Sequence, residues 1–590
     1  MDKIETIYDF VIEQENAMSS GVQIAENFSW SFKDHVSQTV HAKNSKFLKG
    51  ANDYKRPYKN IILPILRLQY RTEGFDVKDI EMFVDDSQNY YKSFLVRKYH
   101  TMWAREHGLD DFIDSLVETY VDFGGVLVKK TTGTTPEVVA WQSVAFCDQT
   151  DILSGPIAID HFYSPSQLKE MVEKGWGSEN YGATVTVDEL IALAEQSKEN
   201  EQSKGVPNKT PGKYIKIYEV HGEFPEYWLG EAESDNYTRQ LHIIGFYTDS
   251  QGKKEGVTLF KGKEATSPFK LLLRDGIFGR ALGLGGVEEL FQSQIWVNYG
   301  KIRITEMLDA ASKIVYITDD SNFVNRNPNL SEVENNQVLD LATGTTIRQL
   351  DTTPRNANQF DNNNVDWENS GQSIGSAFDP LMGAPAPSGS TFRGQERQVI
   401  EGKGIHDYRR GKIATFLDEM YQDWFMVQFA KDIVKKQSFL VELSADEMQE
   451  IITQVAENEA NRTRNEQVLS AELPEDKEAL KTNITESFFR SGNKKFLEIL
   501  EKELKDIPVS VRLNIAQKQA YLGQLADKIT GVFQQLLNPQ TLQVMAANPG
   551  LAKPFNELLE SQGLSPIQFA GLMKLETLQP ASAQPQPITQ

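Results

Sequence analysis

Hydrophobic residues in the second half of the chain recur with the period of an α-helix. From residue 413 onward they are spaced three and four apart, which places them on one helical face: Ile413, Phe416, Leu417, Met420, Trp424, Val427 and Val434. The spacing predicts a long amphipathic helix over residues 392–436. Its first half contains Gly394, Gly402, Gly404 and Gly411, which favour bending or a close approach of two backbones.

Residues 379–390, just before this helix, predict a loop. They contain three prolines and two glycines, and this composition neither continues a helix nor joins a central strand. We expect a mobile segment carried by a long, rigid helix.

A second helical pattern covers residues 287–312, and its apolar residues occupy more than one face. They are Leu290, Phe291, Ile295, Trp296, Tyr299, Ile302, Met307 and Leu308. A helix that is hydrophobic on several faces needs neighbours on several sides. We therefore expect further copies of this chain, arranged in a ring, to supply part of its contacts.

Between residues 122 and 260 the period changes to that of β-strands. Residues 122–130 and 136–146 are rich in β-branched and aromatic residues on either side of a turn-forming stretch, so they predict a hairpin. Further strands are predicted at residues 157–163, 214–223, 240–249 and 256–260. Ser164 is expected to cap a following helix. Together with the helices, these strands predict an α+β fold with a mixed β region.

The composition indicates a large, acidic protein. At 590 residues the chain exceeds the usual size of one hydrophobic core, so about two to four subdomains are expected. The net charge of −22 disfavours tight wrapping of nucleic acid, which needs clustered positive charge. An acidic channel would instead let DNA slide without sticking, although solubility of a large assembly explains the charge equally well.

Motifs for nucleotide binding are absent from the sequence. It contains no G-x-x-x-x-G-K-[ST] cradle, and the glycines at 283–286 fail the dinucleotide spacing because Glu288 stands where a glycine is needed. The single cysteine, Cys147, rules out an intrachain disulfide and is interpreted as a small buried thiol. The aspartates at 148, 151 and 160 with His161 are interpreted as turn residues rather than as a metal site. We expect no catalytic residues, no metal and no cofactor.

The sequence shows no run of about eighteen apolar residues and no basic, then apolar, N-terminal signal. We expect a protein without a membrane span that stays in the cytoplasm where it is made.

The order of these elements resembles that of the portal proteins of tailed bacteriophages, the head-to-tail connector rings at one capsid vertex. Residues 279–290, followed by Gln294 and Asn298, resemble the entry to the family's first stem helix. Residues 56–60, 120–130 and 138–163 resemble its early turn, its helix–glycine–strand step and its wing strands.

The resemblance implies a division of the chain into named parts. They are an N-terminal peripheral segment (1–50), a wing (51–284), stem helix 1 (285–312), a clip (313–350), a second stem region (351–378, with its helix at 365–378), a tunnel loop (379–391), a long helix with wing closure by a strand at 507–513 (392–514), a helical crown (515–578) and a disordered tail (579–590).

The resemblance also implies partners and candidate residues. The chain would form a ring, usually of about twelve subunits, through which double-stranded DNA passes, and it would meet the terminase large subunit, a head–tail adaptor and the major capsid protein or scaffold in the virion. Candidate channel residues are Met382, Pro385, Pro387, Ser388, Thr391, Arg393 and Arg397. Candidate stem residues are Glu288, Gln294, Asn298, Lys301 and Arg303. Candidate clip contacts are Asp319, Asp320, Asn325, Arg326 and Arg348.

Two alternatives remain open at this point. A tail or baseplate component would share the acidity and the oligomerisation but would not need a stem, clip and stem in this order. An acidic glycoside hydrolase would use paired carboxylates, for which Glu219, Glu223 and Glu226 are the best candidates.

Overall fold

The structure is a computed structural model. It describes residues 6–46, 58–83, 90–196, 214–230, 236–248, 254–312, 316–328, 339–349, 357–377, 381–382, 402–435, 445–470, 473–490, 498–500, 502 and 510–513. The fold class is α+β, as the sequence predicts. Most of the predicted tunnel loop, the crown and the tail lie outside the described residues.

The helices are distributed over the whole described part of the chain. They are α1 (Ile7–Ala17), α2 (Phe32–Lys43), α3 (Ile62–Glu73), α4 (Tyr90–His107), α5 (Leu109–Phe123), α6 (Pro165–Met171), α7 (Val187–Gln196), α8 (Gly286–Ala311), α9 (Phe323–Arg326), α10 (Ala357–Ile374), α11 (Gly404–Met420), α12 (Met426–Lys435), α13 (Ala445–Leu469) and α14 (Lys477–Arg490).

The strands form antiparallel sheets. They are β1 (Val22–Ala25), β2 (Phe28–Trp30), β3 (Ile80–Phe83), β4 (Gly125–Lys129), β5 (Glu137–Val138), β6 (Val144–Phe146), β7 (Ile157–Tyr163), β8 (Ile215–Pro225), β9 (Tyr237–Thr248), β10 (Lys254–Lys263), β11 (Phe269–Leu273), β12 (Tyr316–Thr318), β13 (Ile347–Gln349) and β14 (Ser510–Leu513). One sheet has the order β10-β9-β8-β7-β6 and another has the order β11-β4-β5. The pairs β1-β2, β12-β13 and β14-β3 complete the set.

Most of the predicted strands are confirmed. β7 has the predicted bounds, and β8, β9 and β10 are neighbours in one sheet. The strand predicted at 136–146 is wrong in one respect, because it is divided between two sheets. The indole of Trp141 donates to the carbonyl of Gly125 at 3.0 Å, and the chain turns there before β6 pairs with β7.

Three hydrophobic cores hold these elements together. The first joins α3, α4 and α5 to α11, α12 and α13 through residues such as Leu66, Trp103 and Phe429. The second lies between the two larger sheets and α1 and α2, and the third packs α6 and α7 on the five-stranded sheet. The N-terminal segment is therefore less peripheral than expected, because Phe10 and Phe32 are buried in the second core.

The long helix predicted at 392–436 is interrupted by a π turn over Tyr421–Phe425. A π turn holds more residues than an α turn and rotates the following face. The predicted stripe is therefore wrong beyond Trp424: Val427 is exposed, whereas Phe429 and Ile433 are buried. The expected close approach at Gly404 and Gly411 is also wrong, since a Cβ atom added to either glycine would have no described neighbour within 4 Å.

A close backbone approach does occur where α5 meets the start of α8. Gly124 ends α5 with φ +76°, and a Cβ on it would lie 2.6 Å from the amide nitrogen of Gly285. The carbonyl of Gly124 also accepts the N–H of Gly283 at 3.2 Å. These contacts fix the first residue of α8 against the end of α5.

We expect Gly124→Ala to lower the free energy of unfolding by at least about 3 kcal/mol, because it combines a left-handed conformation with a backbone clash. Gly133→Ala is the matched control: Gly133 has φ +83°, but no described atom lies within 4 Å of its Cβ position. We expect it to cost only about 1 kcal/mol. Thermal unfolding of both variants measures the difference, and equal losses would contradict the argument.

Candidate functional site

Helices α8 and α10 pack side by side as an antiparallel hairpin, which we call the stem hairpin. Their contacts run in opposite order along the two helices: Trp296 stacks on Trp367, with ring centroids 6.1 Å apart, and Ser293 lies against Gly371. Lys301 bonds to Asp361 at 3.0 Å farther along. The two helices therefore project together from the cores.

Helix α8 has the bounds that the sequence predicts to within one residue at each end. Glu288 and Glu289 stand in its first turn, where carboxylates interact favourably with the helix dipole. The helix predicted at 365–378 instead begins at Ala357. Its first half is rich in asparagine, a weak helix former, and it is helical because it packs along α8, with Asn364 against Gly300.

Three of the candidate stem residues serve internal contacts. The amide oxygen of Gln294 accepts the backbone N–H of Ile61 at 2.9 Å, and that of Asn298 accepts the N–H of Lys59 at 2.7 Å. Glu288 accepts two hydrogen bonds from the Arg280 guanidinium, at 2.7 and 2.8 Å. These side chains fasten α8 to the segment that leads into α3 and to the loop before α8.

The remaining candidate stem residues are partly or fully exposed. Lys301 pairs with Asp361 across the hairpin, and the Arg303 guanidinium lies 4.9 Å from the ring of Tyr299. Surface pairs of this kind contribute at most about 1 kcal/mol. Both side chains can therefore rearrange at little cost when another surface approaches.

The stem hairpin exposes a large apolar surface in the single chain. Trp296 is 43% exposed and Leu308 is 53% exposed. The other large apolar residues exposed on the hairpin are Ile295, Tyr299, Val365 and Ile374. One side of α8 is covered by α10 and the first core, and the other sides are open in the single chain. Exposed apolar surface of this kind marks an interaction site.

The segment predicted to be the clip, for which we keep that name, folds as a small module between α8 and α10 in the chain, at the far end of the stem hairpin. β12 and β13 pair within it. Asp320 is buried at its centre, where it accepts the N–H of Ala342 at 2.9 Å and bonds to Arg326. The bond from Ala342 and further hydrogen bonds lower the pKa of Asp320. Asp320 and Arg326 thus stabilise the clip itself.

The other candidate clip residues, Asp319, Asn325 and Arg348, are exposed. Ile317 and Val324 are exposed beside them. Of the candidate channel residues, Met382 is 39% exposed, next to Leu381, which packs on the first core. Pro385, Pro387, Ser388, Thr391, Arg393 and Arg397 lie outside the described residues.

A buried charge network at the base of the stem hairpin was not predicted from the sequence. Arg274 lies 2.9 Å from Glu73 and 3.3 Å from Glu289, and Arg409 lies 2.8 Å from Glu289 and 2.6 Å from Asp275. Burial alone would raise the pKa of Glu73, but a hydrogen bond from His406 and the charge of Arg274 lower it. In the sequence, the members of this network are single charged residues between apolar ones, and no local pattern indicates that they meet.

Glu219, the first of the carboxylates proposed for a glycoside hydrolase, is surrounded by basic side chains. Glu219 accepts hydrogen bonds from His161 and His221, each at 3.0 Å, and pairs with Lys129. Burial opposes the charge, but these partners hold the pKa of Glu219 well below its usual value. A general acid needs a raised pKa.

The other two hydrolase candidates also lack the environment of an acid catalyst. Glu223 is exposed, 3.8 Å from Arg239, and Glu226 is half-buried. Neither side chain is buried in the fold.

The remaining sequence candidates are spread over separate turns and strands. Asp148 accepts the N–H of Thr150, and Asp151 caps the turn at Leu153. Cys147 is exposed, so its interpretation as a buried thiol is wrong. Desolvation and the charge of Asp148 nevertheless raise the pKa of this thiol to about 11, which disfavours a nucleophilic thiolate.

The described ranges contain neither a cluster of metal ligands nor a helix suited to a membrane. No group of three or more histidines, cysteines, aspartates or glutamates within them could hold a metal ion. None of the helices they contain is both long and apolar enough to cross a membrane.

Comparisons with known proteins add little. No family model matches the sequence, and no curated protein matches it. The search of solved structures finds, among others, a chain of "Virion of native gene transfer agent (GTA) particle" at 8% identity and a TM-score of 0.32, over 79% of this chain and 99% of that one. The geometry of the chain itself is therefore the guide to its function.

The first prediction from this site concerns Asn364, which is fully buried in the stem hairpin. Neither polar atom of its side chain has a hydrogen-bond partner in the described structure. We expect Asn364→Leu to raise the free energy of unfolding by about 1–2 kcal/mol, because it removes an unpaired buried amide and keeps the branching of the side chain. Asn363→Leu, at an exposed neighbouring position, is the control. A lower melting temperature for Asn364→Leu would contradict the prediction.

The second prediction concerns pH. His221 lies 3.0 Å from both Glu219 and Glu264; burial opposes its charge, but these carboxylates raise its pKa. Its contribution to stability is therefore complete below the unfolded pKa of about 6.5 and is lost as pH rises through the folded pKa. The contribution of Glu219, whose pKa is lowered, is present above about pH 4.3 and is lost as pH falls through its folded pKa.

Melting temperatures measured between pH 5 and pH 9 test this linkage. We expect the wild-type value to fall above neutral pH and His221→Gln to flatten that part of the profile. His41→Gln is the control, because the ring of His41 bonds locally to Ser37 within α2. A profile of the same shape in wild type and His221→Gln would count against the assignment.

Proposed function

We propose that this chain is the subunit of a portal ring, a virion protein that forms the channel at one capsid vertex of a tailed bacteriophage. Double-stranded DNA would be packaged, retained and ejected through this channel. The observation that carries the proposal is the stem hairpin: two antiparallel helices project from the cores and hold a small β module at their far end. The same order of stem, clip and stem underlies the resemblance drawn from the sequence.

The exposed surface of the stem hairpin supports a ring. Trp296, Tyr299 and Leu308 are open to solvent in the single chain, and an identical neighbour could cover them by a contact between different faces of the two copies. Repetition of such a contact closes a ring when the rotation per subunit divides the circle. In this proposal the ring has about twelve members.

The charge of the stem hairpin supports passage of DNA. Glu306, Asp309, Asp361 and Asp366 are exposed on it, and with Lys301 and Arg303 they leave the surface acidic. Repulsion between this surface and the phosphate backbone would keep DNA from binding tightly to the wall. The chain has no P-loop, so the work of packaging would come from the terminase, docked at the clip.

A tail or baseplate component remains the second candidate, because it too would use an exposed stem to assemble. The position in the virion separates the two. Gold-labelled antibodies against this chain should bind one capsid vertex, at the junction with the tail. Labelling along the tail or at its tip would overturn the portal proposal and favour the second candidate.

Ring assembly is tested by light scattering and negative-stain images of the purified chain. We expect a particle of about 800 kDa, from about twelve chains of 66.7 kDa, with a central hole. Ile295→Glu should yield folded monomers, because it places a charge on the exposed stem surface. Phe278→Glu is the control, since Phe278 is 97% exposed but lies outside the stem hairpin. Rings formed equally by both variants would contradict the stem contact.

A further inference from the structure

A groove of about 520 Å³ lies between α5 and β5, away from the stem hairpin. One wall is formed by Asp111, Ser115 and Thr119, which are spaced one helical turn apart on α5. The other includes Pro136, Val138 and Ala140, which are alternate residues along β5 and its flanks. The volume is within the range of about 300–1,000 Å³ found for ligand sites.

β5 is an edge strand of the three-stranded sheet. The N–H of Val139 donates to the carbonyl of Leu127 at 2.9 Å, and Val138 stands opposite Val128. In an antiparallel pair the residue next to a bonded one directs its N–H and C=O away from the partner strand. The N–H and C=O of Val138 and the N–H of Ala140 therefore point to the open edge of the sheet. An open edge of this kind can pair with another strand.

The helix wall of the groove is negatively charged. Asp110, Asp111 and Asp114 are exposed on α5, and none of the three has an ion-pair partner among the residues that the structure describes. Desolvation and repulsion from Asp110, Glu118 and Asp111 raise the pKa of Asp114. Lys43 pairs with Glu118 and Asp122, and the described residues that line the groove include no lysine or arginine.

We propose that this groove binds an extended, lysine- or arginine-bearing segment of a partner protein, which adds a strand to β5 and places a cation at Asp111. Strand addition draws its affinity from main-chain hydrogen bonds, and pockets for alternate side chains give selectivity. The net charge of −22 on this chain favours a different, basic chain over a second copy. This inference is independent of the portal proposal.

Two substitutions separate the features of the groove. Asp111→Asn removes the charge that lines it, and Asp110→Asn is the matched control in the same helical turn but outside the groove. Ala140→Pro removes one N–H from the open edge. Ala140 already has φ −69°, which is the value that proline adopts, so this change should leave the pairing with β4 intact.

The probe is an acetylated and amidated seven-residue peptide of alternating valine and lysine, labelled for fluorescence anisotropy with the purified full chain. We expect saturable binding, slowed amide hydrogen exchange over residues 136–142, and no binding of the peptide with glutamate in place of lysine. Asp111→Asn should weaken binding about three- to fivefold and Ala140→Pro about three- to tenfold. Asp110→Asn should change it less than about twofold.

Three outcomes would overturn the proposal. The first is the absence of saturable binding. The second is an equal loss in Asp110→Asn and Asp111→Asn, which would mean attraction to the acidic chain as a whole. The third is that Ala140→Pro changes the mass of the assembly but leaves peptide binding unchanged. That result would mean that the open edge of β5 pairs with a second copy of this chain. Asp111→Asn keeps the test decisive if Ala140→Pro fails to fold.

Discussion

The structure depends on the ion pairs of Arg274, which lies fully buried between Glu73 and Glu289. Glu73 ends α3, Glu289 is in the first turn of α8, and Arg409 of α11 joins the same carboxylates. Removing one member of such a network would leave a buried charge uncompensated, at a cost of about 3–5 kcal/mol. The first turn of α8 is therefore held at a fixed place relative to two helices of the first core.

These contacts fix the start of α8, while the apolar side chains farther along the same helix remain exposed. The base of α8 is held by the charge network, by the glycine contact at Gly124 and by the bonds of Gln294 and Asn298. Farther along, α8 has only α10 as a neighbour among the described elements, and its aromatic residues are open. A helix that is so firmly fixed at one end and so exposed along its length suits a contact whose geometry must repeat in every copy.

The sequence predicted those elements whose signal is local. The ends of α8 follow from a glycine-rich entry and a continuous apolar pattern, and β7 follows from a short β-branched run between turn residues. The start of α10 could not be predicted, because its helical state comes from packing on α8 and not from its own residues. Local patterns also did not predict the partners of Gln294 and Asn298, which lie more than 200 residues earlier in the chain.

The same limit applied to the buried charges. Arg274 and Glu73 are separated by 201 residues, and nothing near either one indicates that they meet. The candidate clip residues show a mixed result for a related reason: Asp320 and Arg326 sit six residues apart and fold onto each other, whereas Asp319 and Arg348 remain exposed. Polarity in the sequence does not distinguish the two cases, and only the folded geometry does.

The π turn at Tyr421–Phe425 affects how this chain should be aligned with distant relatives. Because a π turn takes up an extra residue within a helix, a relative that lacks one residue there could continue as an unbroken α-helix and still bury the counterparts of Phe429 and Ile433. An alignment that allows no gap within helices would then misplace every later core position by one. A single-residue gap between 421 and 425 therefore keeps the buried face of this helix in register.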